Sequence, residues 1–354
     1  MHASSQSPDS RIRVKLLSPI PERWFRHQLP SDDPGWGNCV FSFDPNDTQY
    51  DWLVVYEDIP GLPGIPRNQR CEQLMCPPEH TMLTTSEPSS IKHYGNAYSS
   101  QFGCVLTSQA EWALPHKDRI HQQAGLIWIY GIGFEGPARS FEEIRDKVPE
   151  NKQHDLAMVF SGKRMRLTLH NQRFRFMQAL TEQLPEMHVF GRSEGHIDLD
   201  DKADALDPYR YSIALENHIE QHHWTEKLAD AFLGLTLPFY AGCPNAADYF
   251  PEESFIPVDM SDPEGAAKII RKAIADNEYE KRLPAIREAR RRVLQEHNLF
   301  AVLSREIEKR HDPHRTPDPA AAICSRHAVR RQSPLNWLSD LTGKTRARLR
   351  HLGG

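Results

Sequence analysis

Residues 209–259 read YRYSIALENHIEQHHWTEKLADAFLGLTLPFYAGCPNAADYFPEESFIPVD. A β-rich run, YSIAL, ends in Glu216 and Asn217, and a polar loop follows. Thr225 is a favourable N-cap for a helix over EKLADAFL, and Gly234 suits its end. The next run, LPFYAG, reads as a second strand closing in a glycine. In open α/β sheets, ligands bind outside the carboxyl ends of strands. A helix start placed there offers free N–H groups and a partial positive charge, which together suit a phosphate. Lys227 opposes the helix dipole in the first turn, a penalty that a bound diphosphate would remove. Glu226 can accept hydrogen bonds from sugar or ribose hydroxyls. The plainer alternative is an ordinary first-turn acid beside a solvated lysine.

Outward from this stretch, strands and helices alternate. Strands are expected at Leu156–Ser161, His188–Phe190, Tyr211–Leu215, Leu237–Tyr240 and Phe255–Val258. Helices are expected at Asn171–Leu184, Thr225–Leu233 and Pro263–Ala275, followed by one long charged helix from Tyr279 to about Arg310. In the first of these, Phe174, Met177, Leu180 and Leu184 recur at helical spacing. This alternation implies a parallel sheet covered by helices. Nearer the start, short apolar runs at Ile12–Leu17, Trp52–Tyr56, Thr81–Thr85, Cys104–Thr107 and Leu126–Tyr130 suit buried parallel strands. The charged stretch 134–155 marks the expected domain boundary.

Bulk properties narrow the classes. With 354 residues, 39% hydrophobic and 26% charged, the chain can build two ordinary cores. The net charge of −5 comes from dispersed residues, without the basic stripe of a nucleic-acid binder. The start, MHASSQSPDSRIRVK, lacks the apolar core of a signal peptide. None of the six cysteines forms a CxxC pair. Free thiols and a cytoplasmic location are therefore expected.

The order ENH, TEKLADAFLG, LPFYAG, SFIPVD resembles the donor-binding signature of glycosyltransferase family 10, the α-1,3/1,4-fucosyltransferases. Those proteins share Phe-Glu-Asn-Ser, Tyr-Val-Thr-Glu-Lys, Pro-Val/Ile-x-x-Gly and Ser-Phe-Ile/Val elements. The resemblance implies an α/β fold of GT-B type, with two Rossmann-like domains facing a cleft plus a C-terminal tail. Residues 1–150 would form the acceptor-side domain and 151–311 the nucleotide-sugar domain with its closing helix. Residues 312–354 would be a linker and tail. It implies GDP-fucose as co-substrate, an oligosaccharide or glycolipid acceptor, no metal, and no cofactor. Glu226 and Lys227 fall on the family's Glu-Lys pair for ribose and diphosphate, Thr225 on its Thr, and Glu216 and Asn217 on its Glu-Asn pair. Arg173, in RFRFMQAL, falls on a phosphate-binding arginine, with Arg166 and Arg175 as nearby competitors. Two positions depart from the pattern: His218 replaces Ser, and His223 stands where the family has Tyr. A histidine there can stack on a base or bond to a phosphate, so another nucleotide sugar is a second reading. A non-catalytic nucleotide-binding scaffold is a third.

Inverting transfer needs a base for the acceptor hydroxyl, and a carboxylate at a strand end suits that role. Glu87, in TMLTTSEPSSIKHYG, is the candidate; it resembles the family's Glu-containing Pro element. The DxD within Asp198–Asp201 reads as a loop, and His218 with His222 lacks a third zinc ligand. The last residues, LNWLSDLTGKTRARLRHLGG, combine Leu335, Trp337, Leu338 and Leu341 with Lys344, Arg346, Arg348 and Arg350. A basic amphipathic helix over 335–352, resting peripherally on an anionic inner membrane face, would look like this. A frayed solvated tail is the alternative. A bacterial lipopolysaccharide or lipid-linked acceptor would suit the first.

Overall fold

The computed structural model describes residues 10–61, 63–133, 136–160, 169–191 and 196–352. Phe134 and Ser161, at the edges of two expected segments, lie outside them. The first half supplies β1 (Ile12–Leu17), α1 (Arg23–Arg26), β2 (Gly35–Trp36), β3 (Cys39–Ser42), β4 (Trp52–Tyr56), β5 (Cys71–Gln73), β6 (Thr81–Thr84), α2 (Asn96–Ser99), β7 (Cys104–Thr107) and β8 (Arg119–His121). The second half begins with α3 (Phe141–Asp146), β9 (His154–Val159), α4 (His170–Gln183), β10 (His188–Phe190), β11 (Tyr209–Leu215), α5 (Glu226–Leu233) and β12 (Leu237–Ala241). It continues with β13 (Ile256–Pro257), α6 (Pro263–Ala275), α7 (Glu278–Gln295), α8 (Leu299–Glu308), β14 (Ala322–Cys324), α9 (Arg326–Gln332) and α10 (Pro334–Leu352).

Two sheets result. The first runs β2-β3-β1-β4-β6-β7-β8 and the second β10-β9-β11-β12-β13. All pairings in both are parallel except β2 with β3. Strands such as WLVVY and LPFYA are buried along their whole length, which is why they read as unbroken apolar runs. In each sheet the winding direction reverses once, between β1 and β4 and between β9 and β11. Such switch points open a crevice at the carboxyl edge. Helix α5 fixes the second crevice by burying Leu228, Phe232 and Leu233 completely; each contributes about 1.5–3 kcal/mol.

Several expectations change. Leu126–Tyr130 is not a strand but the crossing between domains, joined to the rest by one isolated bridge, Leu126 to Asn298. Side chains satisfy its backbone instead: Gln28 Nε2 donates to Leu126 O (3.0 Å), Trp128 N donates to Gln28 Oε1 (3.2 Å), and Ile129 N donates to Asp230 Oδ1 (3.2 Å). Being sandwiched between two cores makes the segment apolar without a ladder. The single long helix from Tyr279 to Arg310 is two, broken where Asn298 caps α8 by accepting from Phe300 N (2.9 Å). Leu299, Phe300, Leu303 and Ile307 then pack into the first domain's core beside Val14 and Trp52. The second domain therefore ends before residue 311. The expected linker is also structural: Ile323, Ala328 and Val329 cover the opposite face of the first sheet. Cys71 and Cys324 are not free thiols. Antiparallel pairing of β5 with β14 sets them opposite each other, and they form a disulfide. A separation of 253 residues hides that pairing from any spacing rule, and the cysteine argument for a reducing compartment loses its basis. Among the described residues, no helix is long and apolar enough to cross a membrane.

The two crossings run side by side, and Asn298 Nδ2 donates to Gln28 O (2.8 Å). Asn298→Ala removes a helix cap and leaves a buried carbonyl unpaired. We expect a loss of about 2–3 kcal/mol in urea unfolding, against under 0.5 kcal/mol, roughly, for an exposed control.

Candidate active site

The two crevices face each other across one cleft. A cavity of about 510 Å³ on the second-domain side is lined by Phe160, Arg173, Lys202, Asn217, Glu226 and Lys227. A second, of about 680 Å³, is lined by Pro19, Trp24, Tyr56, Glu87, His223 and Thr225. Glu87, Asn217, Glu226 and Lys227 border both, and Glu216 borders the second. All eight residues picked from the sequence thus meet along this cleft. Arg166 lies outside the described residues.

Thr225 caps α5 as its residue type suggests. Its N–H and hydroxyl both donate to Glu216, at 2.7 and 2.6 Å. Glu216 is completely buried and uses both oxygens on Thr225, so it braces the helix start. Burial pushes its carboxyl above the usual range, with Lys227 pulling the other way. The glycine ending β12's run is required by this packing: a Cβ on Gly242 would sit 2.4 Å from Glu216 Cγ. Lys227 Nζ donates to Glu226 Oε1 (2.9 Å) and Thr225 Oγ1 (3.0 Å) and stands 3.5 Å from Glu216 Oε2. Burial opposes the charge on Glu226, but Lys227 and Lys202 outweigh it and hold the carboxyl at about 2.

Arg173 is the exception in this balanced cluster. It is 6% exposed, donates to the Asn217 carboxamide, and its Nε has no partner. Among the described residues no carboxylate lies at ion-pair distance from it. Burial lowers its pKa, countered only by the more distant Glu216 and Glu226. A buried guanidinium without a paired anion is costly, and a phosphate would supply the missing charge in a geometry that suits the fork. His223 also makes a contact between the domains. It is buried, bonds through Nδ1 to Ser108 Oγ (3.1 Å) across the domain contact, and is kept neutral by burial at about 3.

On the first-domain side Glu87 is half-buried, and no donor to its carboxylate is found among the described residues. Burial and the charges of Glu57 and Glu226 raise its pKa, while Lys92 and Lys227 only partly reverse this. The sequence reading missed Glu57. This residue directly follows β4 at φ +75°, a strained conformation for a non-glycine residue. Its buried carboxylate accepts from Ser86 N (2.6 Å), Ser86 Oγ (2.8 Å), Glu87 N (3.2 Å), Tyr94 OH and Lys92 Nζ. Burial opposes ionisation, yet these donors hold Glu57 below the ordinary range. Glu57 is therefore a saturated anchor of the loop, and Glu87 is the carboxylate free to take a proton. The strand-end rule that selected Glu87 also pointed to Glu57. Lys202, paired with Asp230 at 2.7 Å, reaches the cavity only through the tertiary fold and left no signal.

Two doubly wound sheets with facing crevices, joined by paired crossings and lined with Arg173, Lys202 and Lys227, have the GT-B architecture of glycosyltransferases. Residues 149–283 match the model of glycosyltransferase family 10 (fucosyltransferase), C-terminal part. Among solved structures, an α1,3-fucosyltransferase is similar at 16% identity, covering 80% of this chain and 84% of that one, with a TM-score of 0.45. An α1,3-fucosyltransferase with GDP-fucose is similar at 14% identity over 90% and 95% of the two chains, with a TM-score of 0.44. Sucrose-phosphate synthase from Thermosynechococcus elongatus is similar at 12% identity over 73% of each, with a TM-score of 0.40.

A base must be deprotonated to act, so turnover should rise with pH through the Glu87 pKa. The acid limb of kcat is expected above 4.5, the ordinary value. Glu57→Gln deletes a charge that raises Glu87 and should move the limb to lower pH without changing the donor KM. A limb that stays in place would assign the titration to another group.

Proposed function

We propose that the chain transfers L-fucose, or a closely related sugar, from GDP-fucose to a glycan hydroxyl, with inversion and without a metal. The observation that carries this reading is one cleft holding Glu87 of the first domain opposite Arg173, Glu226 and Lys227 of the second. The charges of Glu226 and Lys227 are close enough to shift the ionisation of Glu87. The Glu87 carboxylate takes the proton of the acceptor hydroxyl while that oxygen attacks the anomeric carbon. The bond from that carbon to the β-phosphate oxygen breaks, and its electron pair leaves on the nucleoside diphosphate. Arg173, Lys227 and the start of α5 meet the developing charge with cations and N–H groups already in place. Glu226 holds ribose or sugar hydroxyls as an acceptor, since it stays ionised. The match of residues 149–283 to a fucosyltransferase family model supports fucose as the sugar. A different nucleotide sugar was suggested by His223, but its bond to Ser108 ties that departure to the domain contact instead.

The test is a thermal-shift panel of GDP, UDP, CMP and ADP on the whole chain, followed by turnover with GDP-fucose. GDP at 100 times its Kd should add about 2.7 kcal/mol, and the other nucleotides much less. Lys227→Ala and Arg173→Ala should each weaken GDP binding by about 1.5–3 kcal/mol. Glu87→Ala should keep GDP binding and lower kcat by about 10²–10⁴. Excess EDTA should leave turnover unchanged. Preference for another nucleotide would replace the donor, and normal turnover in Glu87→Ala would remove the base.

A further inference from the structure

Helix α10 is fastened along one side and bare along the other. On the inner side Asn336 Nδ2 donates to Val329 O (3.0 Å). Asp340 is buried between Arg330 (3.0 Å) and Lys344 (2.6 Å), and Ala347 is buried too. Gly343 lets the helix press on His93, because a Cβ there would lie 2.3 Å from His93 Nε2. At about 3.6 residues per turn, the opposite side gathers Trp337, Leu338, Leu341 and Leu349, with Leu335 at its edge. These five are 45–75% exposed. Lys344 and Arg348 border this stripe on one flank, Arg346 and Arg350 on the other. In a chain of net charge −5, that is a local concentration of cations around an apolar strip.

The far end of the helix reaches the cleft mouth. His351 Nε2 is 3.0 Å from Ser89 Oγ, two residues beyond Glu87. Its ring stands 5.3 Å from that of His218, the residue after Asn217. Arg350 lies over the Trp112 ring at 4.7 Å. The tail is therefore neither frayed nor remote: it connects a bare apolar face to the rim of both halves of the site.

We propose that α10 seats the protein on an anionic lipid surface, with the cleft mouth at that surface, so that the acceptor is a glycan carried on a lipid. An amphipathic helix that buries apolar side chains among acyl chains while its flanking cations meet anionic headgroups has this make-up. The stripe points away from the protein, as insertion requires. A second copy of the chain fits less well, because pairing the same face twice would set the flanking cations of one copy against those of the other. The acceptor class rests on the transfer reading above; the docking does not.

Flotation of the whole chain, without donor, on phosphatidylcholine vesicles with and without phosphatidylglycerol tests the docking. The chain should float with the anionic vesicles and stay behind with the neutral ones. Arg346→Glu and Arg348→Glu should each reduce binding roughly fivefold or more. The triple change Leu338→Ser, Leu341→Ser and Leu349→Ser should abolish binding without lowering the Tm, since these side chains are exposed. Equal flotation on neutral vesicles, retention by the triple variant, or self-association in sedimentation that the triple variant abolishes would each overturn the proposal. Turnover then separates the two layers. A lipid-borne glycan in anionic vesicles should outpace the same glycan free in solution, and the triple variant should lose that advantage while turning over the free glycan normally. Docking without transfer to either acceptor would retain the surface and reject the transferase reading. Docking with equal use of both would reject the acceptor class.

Discussion

A guanidinium almost wholly removed from water, with no carboxylate beside it, is the constraint around which the site is organised. Among the described residues, the other cations of the second-domain side have carboxylate partners. Lys227 lies among Glu226, Glu216 and Thr225, and Lys202 holds Asp230. Arg173 has only a neutral carboxamide, and burial disfavours its charged form. Desolvating an ion without a counter-ion costs several kcal/mol, roughly, even after relaxation. A fold keeps such an arrangement at a cost in stability, and the natural beneficiary is an anionic ligand that neutralises it on binding. Glu226 and Glu216 prevent Lys227 from adding a second bare cation, so the pocket lining carries little net charge.

The fold supplies the geometry. Each sheet reverses its winding once, and each reversal opens a crevice at the carboxyl edge. Because the chain crosses between domains twice, at 126–131 and 296–299, the two crevices are held face to face by Gln28 and Asn298 rather than by one flexible linker. His223 with Ser108 adds a contact near the site itself. In the proposed transfer, Glu87 on one domain and Arg173 and Lys227 on the other act on one substrate pair only while these contacts set the spacing.

Much of this was legible in the sequence, for specific reasons. Helix α5 was visible because Thr225, the first-turn acid and Gly234 are local signals; α6 was visible from Pro263 and its apolar spacing. Strands β1, β4 and β7 were visible because doubly buried parallel strands are continuously apolar. What escaped depended on distant partners. Leu126–Tyr130 has the composition of a strand, yet its backbone is satisfied by side chains from both domains. The break at Asn298 is polar and short inside a charged helical pattern. Cys71 and Cys324 meet only after residues 322–324 pair with β5. Edge strands such as β2, β5 and β8 are too short to show a period. At the site, Glu87 and Lys227 stood out by position, while Lys202 owes its place to a short turn that only tertiary packing carries to the cavity.

The contrast between Glu57 and Glu87 shows how one loop separates two carboxylates that sequence reasoning treats alike. Both follow strands whose carboxyl ends open on the cleft. Glu57 is surrounded by donors, including Lys92 and Tyr94, so its charge is stabilised and its lone pairs are occupied. Glu87 lacks such donors and feels the negative charge of Glu57. The anchor thus acts twice: it fixes the loop through Ser86 and Glu87 backbone N–H groups, and it raises the proton affinity of its neighbour. The base of the proposed transfer must hold a proton with moderate affinity and release it later, and a carboxylate in water is too weak for that. Strain at Glu57 is the local cost of placing a saturated charge directly behind an unsaturated one, and it explains why a residue that touches no reacting atom occupies the best-satisfied position near the cleft.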